Sequence, residues 1–153
     1  MKSHFKKFIG IDPGKGGGIA VIKDETVIVH ACPRTVEDMS TLIGMCLNDV
    51  SASEIKVCLE KVWAFPTDGR AGSFSFGCNY GQWLGILAVL KIPYTEVIPS
   101  KWMAHYGSRP KDKKDRKNHL KHLAQQRYPD VKITLATSDA MLIANYLKET
   151  NIQ

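Results

Sequence analysis

Three acidic residues stand where a carboxylate can do chemistry. Asp12 follows the apolar run Phe8-Ile9-Gly10-Ile11 and precedes the turn residues Pro13-Gly14, so it reads as the last residue of a strand. By the twofold alternation of a strand it shares a face with Gly10, opposite Ile9 and Ile11. Glu60 ends another strand in the same way, sharing a face with Cys58 while Ile55, Val57 and Leu59 point to the other side. Each acid closes a buried strand on its less bulky side. Asp139 opens a helical pattern in which Leu142, Ile143 and Tyr146 follow at helical spacing, so its side chain leans toward the packed side.

Strands often stop at charged residues, and a carboxylate in the first turn of a helix complements the helix dipole; each acid alone carries that plainer reading too. Together they say more. Three half-buried carboxylates that converge repel one another unless a cation lies between them, and hard oxygen donors favour Mg2+ or Mn2+. Two such ions about 4 Å apart activate a water and stabilise a leaving oxygen, which suits phosphodiester hydrolysis. No residue pattern asks for an organic cofactor.

The charge distribution points to the same substrate class. The 153 residues carry a net charge of +6, and all of it lies in residues 109–127. That stretch holds Arg109, Lys111, Lys113, Lys114, Arg116, Lys117, Lys121 and Arg127 against two acids, while the rest of the chain balances at 13 basic and 13 acidic residues. A localised basic patch suits a polyanion, although a merely solvated basic helix has the same composition. Lys113, Lys117, Leu120 and Ala124 form one helical stripe, so Lys117 leans toward the protein. It is the candidate for an active-site cation at the scissile phosphate, the alternative being a lysine that snorkels at the core's edge. Lys114 and Lys121 should face outward, and Lys113, Lys114, Arg116 and Lys121 are candidate phosphate contacts that position DNA without reading its sequence. Lys101, after Pro99-Ser100, is a second candidate cation.

These side chains need a scaffold, and the apolar pattern predicts one. Strands are expected over 5–11, 18–23, 26–32, 55–60 and 94–98, and helices over 36–48, 74–90, 100–106, 113–127 and 138–148. Short polar turns join the first three strands into an antiparallel meander; helical crossovers make the last two parallel. The class is α/β, a mixed five-stranded sheet flanked by helices, in the ribonuclease H-like order βββαβαβ. Residues 1–153 are expected to form one domain. With 44% hydrophobic and 24% charged residues the chain is too apolar for a disordered one. No apolar run approaches the ~20 residues of a membrane span and MKSHFKKF lacks a signal peptide's apolar stretch, so the expectation is an intracellular protein, cytoplasmic, nucleoid-associated, or in an organelle or phage-infected host. Cys32, Cys46, Cys58 and Cys78 form no CxxC pair and read as reduced, packed thiols.

Asp12 in FIGIDPGKGGGIAVI, Glu60 in KVCLEKV and Asp139 in SDAMLIANYL resemble the acidic motifs of RuvC-type Holliday junction resolvases, within the ribonuclease H-like superfamily. FSFGCNYGQWLGILAVLKIPYTEVIPSKW is similar to the middle of the small phage and organelle members. The resemblance spans residues 8–148. It implies a Mg2+-dependent endonuclease that acts as a homodimer, cuts two opposed strands of a four-way DNA junction, and holds its metal with Asp12, Glu60 and Asp139. One departure stands out: where the family often has a further Asp or His three residues before its last aspartate, this chain has Ala136. Asp130 lies too far along to replace it.

The resemblance also gives Trp63 a role, since resolvases of this kind keep an aromatic three residues after the second acid to wedge against bases at the crossover. Stacking on unpaired bases is a sound use of such a ring; a packing cluster with Pro66 is the alternative. Gly77, Gly81 and Gly85 recur every four residues in the predicted 74–90 helix, each destabilising it by up to about 1 kcal/mol relative to alanine. Close packing on the sheet is one reason to keep them, and helix-on-helix contact across a two-fold axis is the other, which the resemblance favours. Competing functions are another ribonuclease H-like nuclease with the same acids, a branched-DNA-binding protein whose site has decayed at Ala136, and a sugar-kinase-like phosphate cradle at Ile11-Asp12-Pro13-Gly14. The last needs a second glycine-rich loop and about twice this length.

Overall fold

A computed structural model describes residues 4–151. Its centre is the strand β1, Lys7–Asp12. Ile9 and Ile11 are fully buried on one side of it and Phe8 and Gly10 on the other, so this strand has covered faces only. β2 (Gly18–Lys23) and β3 (Thr26–Ala31) follow as the antiparallel meander, and β4 (Ile55–Glu60) and β5 (Tyr94–Val97) add on the other side of β1 in parallel. The sheet order is β3-β2-β1-β4-β5. This is the mixed five-stranded, ribonuclease H-like α/β arrangement that the sequence implies.

Two apolar layers sandwich the sheet. On one side, α1 (Val36–Met45) and α2 (Arg70–Val89) bring Met39, Ile43, Trp83 and Leu87 against Ile9, Ile11, Val57 and Leu59. On the other, α3 (Pro99–Ala104), α4 (Lys113–Arg127) and α5 (Ser138–Asn151) bring Trp102, Leu120, Ala124 and Leu142 against Phe8, Ala20, Ile22 and Cys58. From Ala140 to Leu147 α5 is apolar at every position but Asn145, and it is buried from Ala140 to Asn145, the expected place for such a stretch.

Glycine decides how closely α5 approaches. A Cβ at Gly10 would fall on the Ala140 carbonyl oxygen and the Ala144 nitrogen, well inside contact distance. Only a residue without a side chain lets the helix backbone rest on the strand. A Cβ at Gly18 would likewise lie 2.7 Å from the Ala136 carbonyl oxygen, so the start of α5 is seated against β2. The N-terminus of α5 is thereby held beside the end of β1.

All ten predicted elements are present, with one shift of consequence. α2 begins at Arg70, four residues before the predicted 74, and takes in residues expected to form a loop. Its N-cap is Gly69, with no side-chain cap hydrogen bond, so no capping residue advertises the start. The basic helix α4 has the predicted bounds because Asp112 caps it, accepting from the Lys114 and Asp115 backbone N–H groups at 2.9 and 3.0 Å. The four cysteines are free thiols as expected, but Cys78 is exposed on α2 rather than packed. No helix among the described residues is long and apolar enough to cross a membrane.

Candidate active site

β1 and β4 are parallel and in register, Ile11 beside Leu59, so Asp12 and Glu60 leave the sheet at the same edge. Both sit on the α5 side, with Gly10 and Cys58. α5 starts at this edge and contributes Asp139 from its first turn. The three acids named by the sequence are thus brought together, and each is half-buried.

Their electrostatics report the convergence. Burial pushes the Asp12 carboxyl well above the ordinary carboxylate range, and the charges of Glu60 and Asp139 raise it further, while Lys117 pulls it down. Glu60 is pushed up to about 7, chiefly by burial, with the hydrogen bond from Trp102 and the Lys117 charge opposing and Asp139 adding to the rise. Asp139 is raised by burial against the pull of Lys117 and Arg116. Lys117 therefore reaches all three acids, although its own side chain remains exposed at the mouth of the site. Among the described residues no hydrogen bond reaches the Asp12 or Asp139 carboxylate, and no three His, Cys, Asp or Glu side chains are close enough together to hold a metal ion as they stand.

Two neighbours of the acids were not assigned to them from the sequence. Trp102, fully buried in α3, donates its indole Nε1–H to Glu60 Oε2 at 2.6 Å. A buried indole usually finds an acceptor, a signal present in Ser100-Lys101-Trp102 although Lys101 is the residue its charge singles out there. Lys101 itself is exposed, and its charge reaches the Cys58 thiol, which burial pushes up to about 12. The second neighbour is Arg116, read from the sequence as a candidate phosphate contact. It is half-buried, its charge reaches Asp139, and its guanidinium donates to the Lys111 carbonyl at 2.8 Å.

The remaining basic residues follow the expectation in part. Lys113 and Lys114 are exposed and line an open hollow of about 470 Å3 with Lys117, Asn118 and Leu135. Lys121 is half-buried rather than turned outward. α4 rests on the core through Leu120 and Ala124, and the positions flanking that contact, 116 and 121, are drawn partly under it. Trp63 is 48% exposed and packs against Phe65 with the rings tilted at 57° and their centroids 5.6 Å apart, in the loop after Glu60. Gly77, Gly81 and Gly85 are exposed, and a Cβ at any of them would meet nothing within 4 Å. Packing on the sheet does not explain them. Asp130 lies in a hollow with Asp24, Glu25 and Lys148, beside the C-terminal half of α5, and so joins no acid of the site.

No family model matches the sequence, and no curated protein does. Solved structures do match. A Thermus thermophilus RuvC in complex with a Holliday junction substrate superposes with a TM-score of 0.63 at 14% identity, covering 94% of this chain and 96% of the other. The fold is that of RuvC. A second Thermus thermophilus RuvC structure gives a TM-score of 0.61 at 16% identity, with 95% and 97% covered. The RuvC likeness thus runs through nearly the whole of both chains while few residues coincide.

Proposed function

We propose that this protein is a metal-dependent endonuclease that resolves four-way DNA junctions by paired phosphodiester cleavage. The observation that carries the reading is the corner where Asp12, Glu60 and Asp139 meet under the charge of Lys117, on a fold shared with a RuvC bound to a Holliday junction. The donor set fits a hard divalent ion: three carboxylates, acceptor-only, costly to ionise together without a cation. Asp12, Glu60 and Asp139 would hold Mg2+ or Mn2+, two ions per site, and the cation charge would offset the burial that raises all three and the repulsion that adds to it at Asp12 and Glu60. When bound, the metal supplies charge for the attacking water and the leaving oxygen.

The other groups have separable tasks. Trp102 fixes one oxygen of Glu60 and leaves the other free to ligate. Lys117 offers a cation to the scissile phosphate, and Arg116 braces Asp139. Lys113, Lys114, Lys121 and Lys101 bind phosphates, and Trp63, with its ring exposed, stacks on a base at the crossover. Two active sites are needed for two opposed cuts, and the open face of α2 at Gly77, Gly81 and Gly85 is suited to a self-complementary homodimer contact. Residues 1–153 would act as one nuclease domain.

Asp12→Asn, Glu60→Gln and Asp139→Asn test the assignment. Each should abolish junction cleavage while leaving folding and junction binding largely intact, because the acids hold metal and the basic helix holds DNA. Unfolding in all three variants would return the acids to a structural role.

A further inference from the structure

The turn that leaves Asp12 is rich in glycine, with Gly14, Gly16 and Gly17 following Pro13. Such a segment is cheap to bend and costly to order. A metal ligand at its root needs an aim held within a fraction of an ångström. No hydrogen bond from the described residues holds the Asp12 carboxylate, so its aim depends on its backbone, held on one side by the pairing of Asp12 with Gly18 and on the other by the turn that follows.

That backbone is tied to α2 at one point. The Gly14 N–H donates to Asn79 Oδ1 at 2.7 Å. Gly14 has φ 105°, and a Cβ there would lie 2.6 Å from the Phe76 ring, one helical turn before Asn79; the turn therefore lies flat on the helix. The Asn79 amide is itself oriented, because its Nδ2 donates to Cys32 Sγ at 3.4 Å and faces Met39 Sδ at 3.9 Å. Only Oδ1 is left for Gly14. The loop closes through Gly17 N–H to the Gly14 carbonyl at 3.0 Å and Cys32 N–H to the Gly17 carbonyl at 2.9 Å, so the amide bridges both ends of one small ring of hydrogen bonds. Asn79 lies two residues from both Gly77 and Gly81, on the side of α2 turned away from its open face.

We propose that Asn79 is a positioning residue for Asp12, fixing the turn of residues 13–17 so that the carboxylate is aimed before metal arrives. This rests on Asp12 being a metal ligand. Asn79→Leu removes the acceptor while keeping the same branched outline, and Asn79→Ala removes it without adding bulk. In the metal-free protein, amide hydrogen exchange at Gly14, followed by NMR, should quicken about fivefold or more in either variant, while the β1 amides keep their protection. Mn2+ binding, followed by its paramagnetic resonance signal, should weaken by a similar factor, and junction cleavage should lose kcat with KM unchanged. Asn79→Asp keeps an acceptor for the Gly14 N–H and should restore its protection.

Unchanged Gly14 exchange or unchanged Mn2+ affinity in a folded Leu or Ala variant overturns the proposal. So does failure of both variants to fold, which would make Asn79 an ordinary core residue. Wild type that binds no Mn2+ defeats the ligand assignment itself, and the positioning role with it. Wild type that binds Mn2+ no more tightly than its variants defeats the positioning role alone.

Discussion

The carboxylate corner and the open face of α2 are built on opposite terms. At the corner, helix backbone rests on strand backbone through Gly10, the parallel register sets Asp12 beside Glu60, and Trp102 pins Glu60. Each of these contacts is made within one chain. On α2, a side chain at Gly77, Gly81 or Gly85 would touch nothing, and Phe74 and Val89 on the same helix are 75% and 79% exposed. That face costs helix stability and receives no packing in return. Glycine therefore serves two ends in this molecule: closure inside the chain at position 10, and room left open at positions 77 to 85.

Alanine or leucine at these glycines separates the two cases. Gly10→Ala should cost more than about 3 kcal/mol and be seen as loss of the folded state in denaturant titration, since neither backbone can yield far. Gly81→Leu should leave the fold intact and act on assembly, giving a monomer by sedimentation that at best nicks a junction and makes no paired symmetric cuts. An unfolded Gly81→Leu protein would mean that the α2 glycines serve the chain's own core after all.

A smaller effect comes from the acids' cost to the fold. Glu60 titrates near 7 in the folded protein, above its ordinary value of 4.5. Between those values the folded state binds more protons than the unfolded one, so stability falls as pH rises through this window and the loss is complete above about 7. Asp12 and Asp139, also raised, add to it in the same sense. Metal-free protein should melt several degrees lower at pH 8 than at pH 5, on the order of 5 °C, and Mg2+ should recover part of that at pH 8 only. Glu60→Gln should flatten the profile. A melting point that rises from pH 5 to pH 8 would contradict the burial of the three acids at the corner.

The smallest effect concerns α4. Replacing Lys113, Lys114 and Lys121 with alanine should weaken junction and duplex binding alike. Each lysine that truly neutralises a phosphate adds about 0.9 to the slope of log affinity against log salt, and its removal flattens the slope by that amount. Lys121, half-buried, should contribute least. An unchanged slope would place the DNA on another surface.

The strand ends and the faces taken by the acids that close them were legible in the sequence because a twofold alternation leaves little freedom in which face a residue takes. Asp12 and Glu60 could be read to the residue for that reason. Helix faces were less legible. Lys117 and Arg116 both neighbour Leu120, at spacings of three and four, and spacing alone does not choose between them; Lys117 is exposed and Arg116 half-buried, and the charge of each reaches Asp139. The start of α2 was hidden by its uncapped Gly69. Trp102 and Asn79 act through partners 42 and 65 residues away in the chain, and no local pattern announces such pairs.

Whether the corner cleaves junction DNA with metal is decided by incubating the wild-type protein with an end-labelled four-way junction and a matched linear duplex, in Mg2+ and then in EDTA. The expected result is paired, symmetrically placed cuts in the junction with Mg2+, none in the duplex, and none in either with EDTA. Cleavage undiminished in EDTA, or a duplex cut as readily as the junction, would contradict it.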